Sequence, residues 1–178
     1  ALGGGIVRDI LIGHLPPTMF SDYRYVMVAV ITSVIVFIVA YIFRESYKKS
    51  EKTVDEVNNI FDALGLGVFT VMGAKVAIES GFTVNGILVV CLAVVTGVGG
   101  GLIRDVMLME IPFVLKKRIY AVASIIGGTA YHLMYIHNVN VRLASVIAVL
   151  IVFAVRILAT AFKLDLPKVR FPKEEKSV

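Results

Sequence analysis

ALGGGIVRDILIGHLP, residues 1–16, returns as GVGGGLIRDVMLMEIP, residues 97–112. Gly3, Gly4 and Gly5 pair with Gly99, Gly100 and Gly101, Arg8 and Asp9 with Arg104 and Asp105, and Pro16 with Pro112, all at one constant offset. An internal repeat of this kind constrains the architecture before any single motif does. Each copy continues through a loop that contains arginine into another apolar stretch. The second copy is preceded by a complete apolar run, 60–80, and by the first half of its own run, 84–97; nothing equivalent precedes the first. Self-comparison therefore predicts roughly 35 further residues ahead of Ala1 in the native protein, for seven spans grouped as three, three and one.

The surrounding composition names the solvent. Of 178 residues, 58% are hydrophobic, and the mean hydropathy is +0.87, more than a water-facing surface tolerates. A half span ends near residue 12, and runs at 25–43, 60–80, 84–109, 119–136 and 141–162 each reach or approach the roughly 20 residues that cross a bilayer as helix. Alternation with period two over ten-residue segments is absent, which excludes a β-barrel. The expected fold is an all-α polytopic membrane protein of five and a half spans. Because three is odd, its two three-helix repeats cross the membrane in opposite senses and are inverted, related by a pseudo-two-fold axis in the membrane plane. The expected boundaries are 1–43 for the remainder of the first repeat and 44–58 for a charged linker. The second repeat follows at 59–137, the seventh helix at 138–162, and a basic tail at 163–178.

The formal charge of +5 sits in short runs between apolar segments, which marks topology and not a nucleic-acid partner. Arg44, Lys48, Lys49, Lys52, Lys116, Lys117, Arg118 and the lysines and arginine of the tail fall on one side, against Arg24 and Arg142 on the other. That asymmetry predicts a cytoplasmic linker and C-terminus in a plasma-membrane protein. Cys91 has no intrachain partner and is expected to be a small packing residue. His132 and His137 are too far apart to share a helix face, and no metal-ligand cluster, nucleotide-binding loop or activated nucleophile is evident. The expectation is neither an enzyme nor a protein with a resident cofactor.

Three consecutive glycines cost about 1 kcal/mol each within a helix, so a kink or unwinding is expected at Gly3–Gly5 and at Gly99–Gly101. Such a break is tolerated in lipid only at a close helix contact or beside a wet path. The adjacent Arg-Asp favours the path, because an ionisable residue inside a span marks a functional site. Neighbours on a helix point about 100° apart, so Arg8 is expected to pair with Asp105 and Arg104 with Asp9 across the repeat interface, the alternative being a solvated ion pair at each helix end. Lys75 has two readings, snorkelling outward with Glu79 as its partner or lining the path as a positive barrier. Asp62 is expected to cap the start of its span. The hydroxyls of Ser33, Thr70, Thr96, Ser124 and Thr129 either line the path or bond within and between helices. Tyr23, Tyr25, Tyr120, Tyr131 and Tyr135 read as interfacial anchors.

Taken with DALGLGVFTVMGAKVA, residues 62–77, and EIPFVLKKRIYAVASIIGG, residues 110–128, the paired GGGIVRD and GGGLIRD motifs resemble the prokaryotic TRIC (trimeric intracellular cation channel) family. That family also carries the labels UPF0126 and glycine transporter domain. The resemblance covers the chain to about residue 162. It implies a homotrimer in membrane lipid, with seven spans per protomer and a potassium-permeable path in each, shaped by the glycine-kinked helices. The second label keeps open a transporter of a small zwitterion such as glycine.

Overall fold

A computed structural model describes residues 2–42, 51–116 and 119–162. Within them the regular structure is helical throughout: α1 (Leu2–Leu11), α2 (Thr18–Ser21), α3 (Tyr23–Ile42), α4 (Glu51–Ala77), α5 (Gly86–Met107), α6 (Phe113–Lys116), α7 (Ile119–Ile136) and α8 (Val141–Ala161). A π-helical turn, Ile78–Phe82, extends α4. Five of these helices are long and apolar enough to cross a bilayer, and α1 supplies the half span. In hydrocarbon every amide must find a partner inside its own segment, which is why uninterrupted apolar runs become helices here.

The helix ends carry polar chemistry. The Asn85 side chain accepts from the Leu88 amide at the start of α5, and Asn140 accepts from the Arg142 amide at the start of α8. Three helices close on the same left-handed turn, with positive φ at Gly13, Met109 and Asn138. The amides of His14, Glu110 and Val139 reach back to the carbonyls of Asp9, Asp105 and Met134, the longer hydrogen bond of a Schellman motif. Gly13 and Met109 stand at the repeat offset, as do His14 and Glu110. The duplication therefore extends from sequence to capping geometry.

The core lies where α4 packs on α5, α7 and α8. Ala74, Ala77, Val89, Leu92, Ala93, Tyr131, Ala144 and Ala148 form one buried cluster; Leu66, Val98, Tyr120, Ala123 and Val152 form a second. Alanines dominate the first because helix association in lipid rests on close packing and not on expulsion of water. In contrast α3 rests on α2 and buries none of its residues.

Four expectations need correction. Helix α4 begins at Glu51, inside the segment read as a charged linker, since the stretch from Glu51 contains no glycine or proline to stop a helix. Asp62 accordingly sits three turns inside α4 and does not cap it. Tyr120 and Tyr131 are buried and are not interfacial anchors, while Cys91 is exposed on the groove between α5 and α7. The segment 43–50, Lys117, Arg118 and the tail from 163 lie outside the described residues.

Candidate functional site

Neither glycine triplet is unwound. Helix α5 runs without interruption through Gly99, Gly100 and Gly101, and α1 runs through Gly3, Gly4 and Gly5. The expected unwinding is absent, and the missing side chains serve contact between backbones. A methyl group on Gly4 would overlap the Thr96 carbonyl and stand 3.1 Å from the Gly100 nitrogen. One on Gly3 would lie 3.7 Å from Gly100 Cα, and one on Gly99 3.2 Å from Gly4 Cα. Exchanging the two copies converts one of these last contacts into the other, the reciprocity that a local two-fold axis imposes. Gly5 and Gly101 stay out of the backbone contact. A Cβ on either would meet only the guanidinium one turn on, Arg8 Nη2 at 3.8 Å or Arg104 Nη2 at 3.9 Å, and on Gly101 also the Tyr120 hydroxyl at 3.7 Å.

The Arg-Asp pairs close within each copy, not across the interface as expected. Arg8 Nε donates to Asp9 Oδ1 at 2.8 Å, with Nη2 at 2.6 Å from the same oxygen. Arg104 Nε donates to Asp105 Oδ1 at 2.9 Å, with Nη2 also at 2.9 Å. Two features of the geometry explain the correction. The long arginine stem bends round the 100° that separates neighbours. Each pair also lies a turn beyond the crossing along its own helix, about 6 Å in opposite directions, so the two pairs diverge. The remaining Asp9 oxygen accepts from the Thr18 amide at 2.8 Å and ties α2 to α1.

Two cavities flank the crossing. The first, about 70 Å³, has Gly5, Arg8, Asp9, Thr18, Phe69 and Thr96 in its wall. The second, about 280 Å³, has Asp62, Phe69, Thr96, Gly101, Arg104 and Tyr120. Both exceed the space one water needs, and both offer the polar partners a water requires. Chain tracing puts them toward opposite membrane faces: three spans, α3, α4 and α5, separate the end of α1 from the end of α5.

The remaining residues singled out in the sequence divide clearly. Thr70 and Ser124 are buried and share a hydrogen bond of 2.6 Å between α4 and α7. Thr96 donates to the Leu92 carbonyl and Thr129 to the Ile125 carbonyl, each within its own helix. Ser33 lies on exposed α3, along an open groove. Lys75 stands 3.7 Å from Glu79, with about half of its side chain exposed, and lines neither cavity. The pairing with Glu79 named in the snorkelling reading is present.

Sequence inspection passed over the polar cluster under the second cavity. Asp62 accepts from the Tyr120 hydroxyl at 3.1 Å and from Arg156 Nη2 at 3.4 Å. Arg156 is 1% exposed, stacks 4.6 Å above the Tyr120 ring, and donates to Asn59. An intramembrane arginine on α8 was the available signal; its partners come from two other helices and carry no local spacing.

A family model described as glycine transporter matches residues 1–41 and 59–136. The UPF0126 inner membrane protein YadS of Escherichia coli (strain K12) is 34% identical over 171 residues, 94% of this chain and 77% of that protein. The UPF0126 membrane protein YvgT of Bacillus subtilis (strain 168) is 34% identical over 138 residues, 78% and 64%. Among solved structures, one described as the structural basis for conductance through TRIC cation channels superposes with a TM-score of 0.81 at 34% identity, covering 97% of this chain and 80% of the other. The TRIC trimeric intracellular cation channel orthologue from Rhodobacter sphaeroides follows at 0.79 and 26%, covering 92% and 79%.

Proposed function

The chain belongs to the TRIC/UPF0126 family of multi-pass membrane proteins, and on that premise we propose that it is a potassium-permeable cation channel with one path per protomer. The observation that carries this reading is the pair of polar cavities on opposite sides of the α1–α5 crossing, each bearing a glycine and an arginine related by the repeat. Intramembrane charge is costly, and a pathway is the usual reason for retaining it. The path follows the crossing, with Arg8–Asp9 toward one face and Arg104–Asp105 toward the other.

At each cavity the arginine is paired with the aspartate that follows it, which offsets the positive field of the guanidinium, so a monovalent cation meets a dipole and not a bare positive charge. Asp62 adds a carboxylate to the wall of the second cavity and favours cations there. The description of the Rhodobacter sphaeroides orthologue as trimeric supports a homotrimer, and the lysine and arginine distribution supports a cytoplasmic C-terminus.

Reconstitution into liposomes tests the reading by comparing dissipation of a potassium gradient with uptake of labelled glycine. Potassium flux that Arg104→Ala alters is expected. Saturable glycine uptake without ionic leak would make the protein a transporter, as the description of the matching family model reads.

A further inference from the structure

Phe69 and Thr96 are the two residues common to the walls of both cavities. Everything else divides: the first wall is built from α1, the α2 region, Tyr25 and Met72, the second from the first turns of the α4 span, the end of α5 and Tyr120. Thr96 is fixed. Its hydroxyl donates to the Leu92 carbonyl at 2.6 Å, and its own carbonyl is pressed against Gly4 at the crossing. Phe69 is not held in this way. It is partly exposed, and its ring lies back over Gly65, with Cε2 3.9 Å from where a Cβ would stand. Gly65 belongs to the second cavity, so this edge of the ring borders that cavity, toward the N-terminus of its helix as long side chains on helices do, while Phe69 also borders the open groove along α3. Because Gly65 has no side chain, no steric wall stops the ring on that side.

We propose that the Phe69 ring is the movable partition between the two cavities, and that its swing on α4 past the immobile Thr96 opens and closes continuity between them. The inference rests on the channel reading and adds the residue that occludes the path. The physical basis is the behaviour of an apolar constriction between two polar chambers: it excludes water and ions until the apolar group moves aside. A phenyl ring achieves this by rotation about two side-chain bonds, with no disturbance of the packed glycine crossing.

The test uses sidedness of labelling together with flux. Gly5 and Gly101 face opposite cavities, and a side chain there meets no backbone, so Gly5→Cys and Gly101→Cys serve as reporters in a Cys91→Ala background. Membrane-impermeant methanethiosulfonate applied to vesicles of known orientation is expected to label each reporter from one face only, and the two from opposite faces. Adding Phe69→Ala is expected to let each reporter label from either face, and to raise potassium flux by about fivefold or more; Phe69→Trp lowers it. Phe69→Leu provides a smaller change of the same sign should the alanine variant fail to elute as a folded protein.

Labelling of both reporters from the same face in the Phe69 protein would overturn the two-chamber arrangement. Sidedness that survives both Phe69→Ala and Phe69→Leu would overturn the role of the ring. Absence of potassium flux in wild type would overturn the channel reading alone, since the labelling pattern judges the partition without any transport.

Discussion

The two copies of the glycine-arginine-aspartate motif share a sequence and a backbone yet differ in what their arginines see. On α1 the Arg8 side chain is 6% exposed; on α5 the Arg104 side chain is 56% exposed. The helix ends are superimposable in kind, with the same Schellman turn and the same arginine chelating the aspartate that follows. Residues within one motif thus specify the turn and the ion pair, whereas helices arriving from elsewhere decide whether the guanidinium meets protein or an open cavity. An ion pair has a different energetic meaning in the two settings, because burial removes the water that would replace a lost partner.

The sharpest way to break the comparison is at the crossing itself. Gly4→Leu drives a side chain into the Thr96 carbonyl and the Gly100 backbone, where nothing flexible can yield, and is expected to abolish recovery of folded protein. Gly5→Ala and Gly101→Ala, whose added methyl groups meet only side-chain atoms at 3.7–3.9 Å, are expected to be neutral or to gain up to about 1 kcal/mol in helix propensity. Thermal unfolding in detergent distinguishes these outcomes. Equal damage from all three substitutions would show that the triplets matter for flexibility and not for contact.

The next effect separates the two ion pairs. Asp9→Ala leaves the Arg8 guanidinium buried and releases the Thr18 amide, at an expected cost of about 3–5 kcal/mol. Asp105→Ala leaves instead a guanidinium that is largely exposed and is expected to cost less than Asp9→Ala in the same unfolding measurement. Similar losses would mean that the exposure difference has no energetic weight. The smallest effect belongs to Lys75→Ala, outside both copies, where an exposed pair with Glu79 is worth under about 0.5 kcal/mol and potassium flux is expected to stay unchanged. A clear change of flux would return Lys75 to the path.

Much of this molecule was legible before any coordinates. Hydrophobic runs longer than a bilayer is thick admit one backbone solution, so the spans at 119–136 and 141–162 fall within a residue or two of α7 and α8. The repeat fixed the equivalence of Gly13 and Met109 without showing why either was needed. Misreadings came where the answer depended on a partner. The glycines read as points of unwinding because helix propensity is local, and the cost of glycine is offset only by a second backbone that no window of sequence contains. The predicted exchange of arginine partners failed because the geometry of the crossing carries the two pairs apart.

By itself, then, the sequence determined the solvent, the spans, the duplication and the placement of charge inside the membrane, since each follows from the composition or spacing of contiguous residues. Only the tertiary structure decided that Gly4 meets Thr96, that Asp62, Tyr120 and Arg156 converge from three helices, and that Phe69 stands between two cavities. Those facts depend on the distance of closest approach between helices, which is set by side-chain volumes on both partners at once.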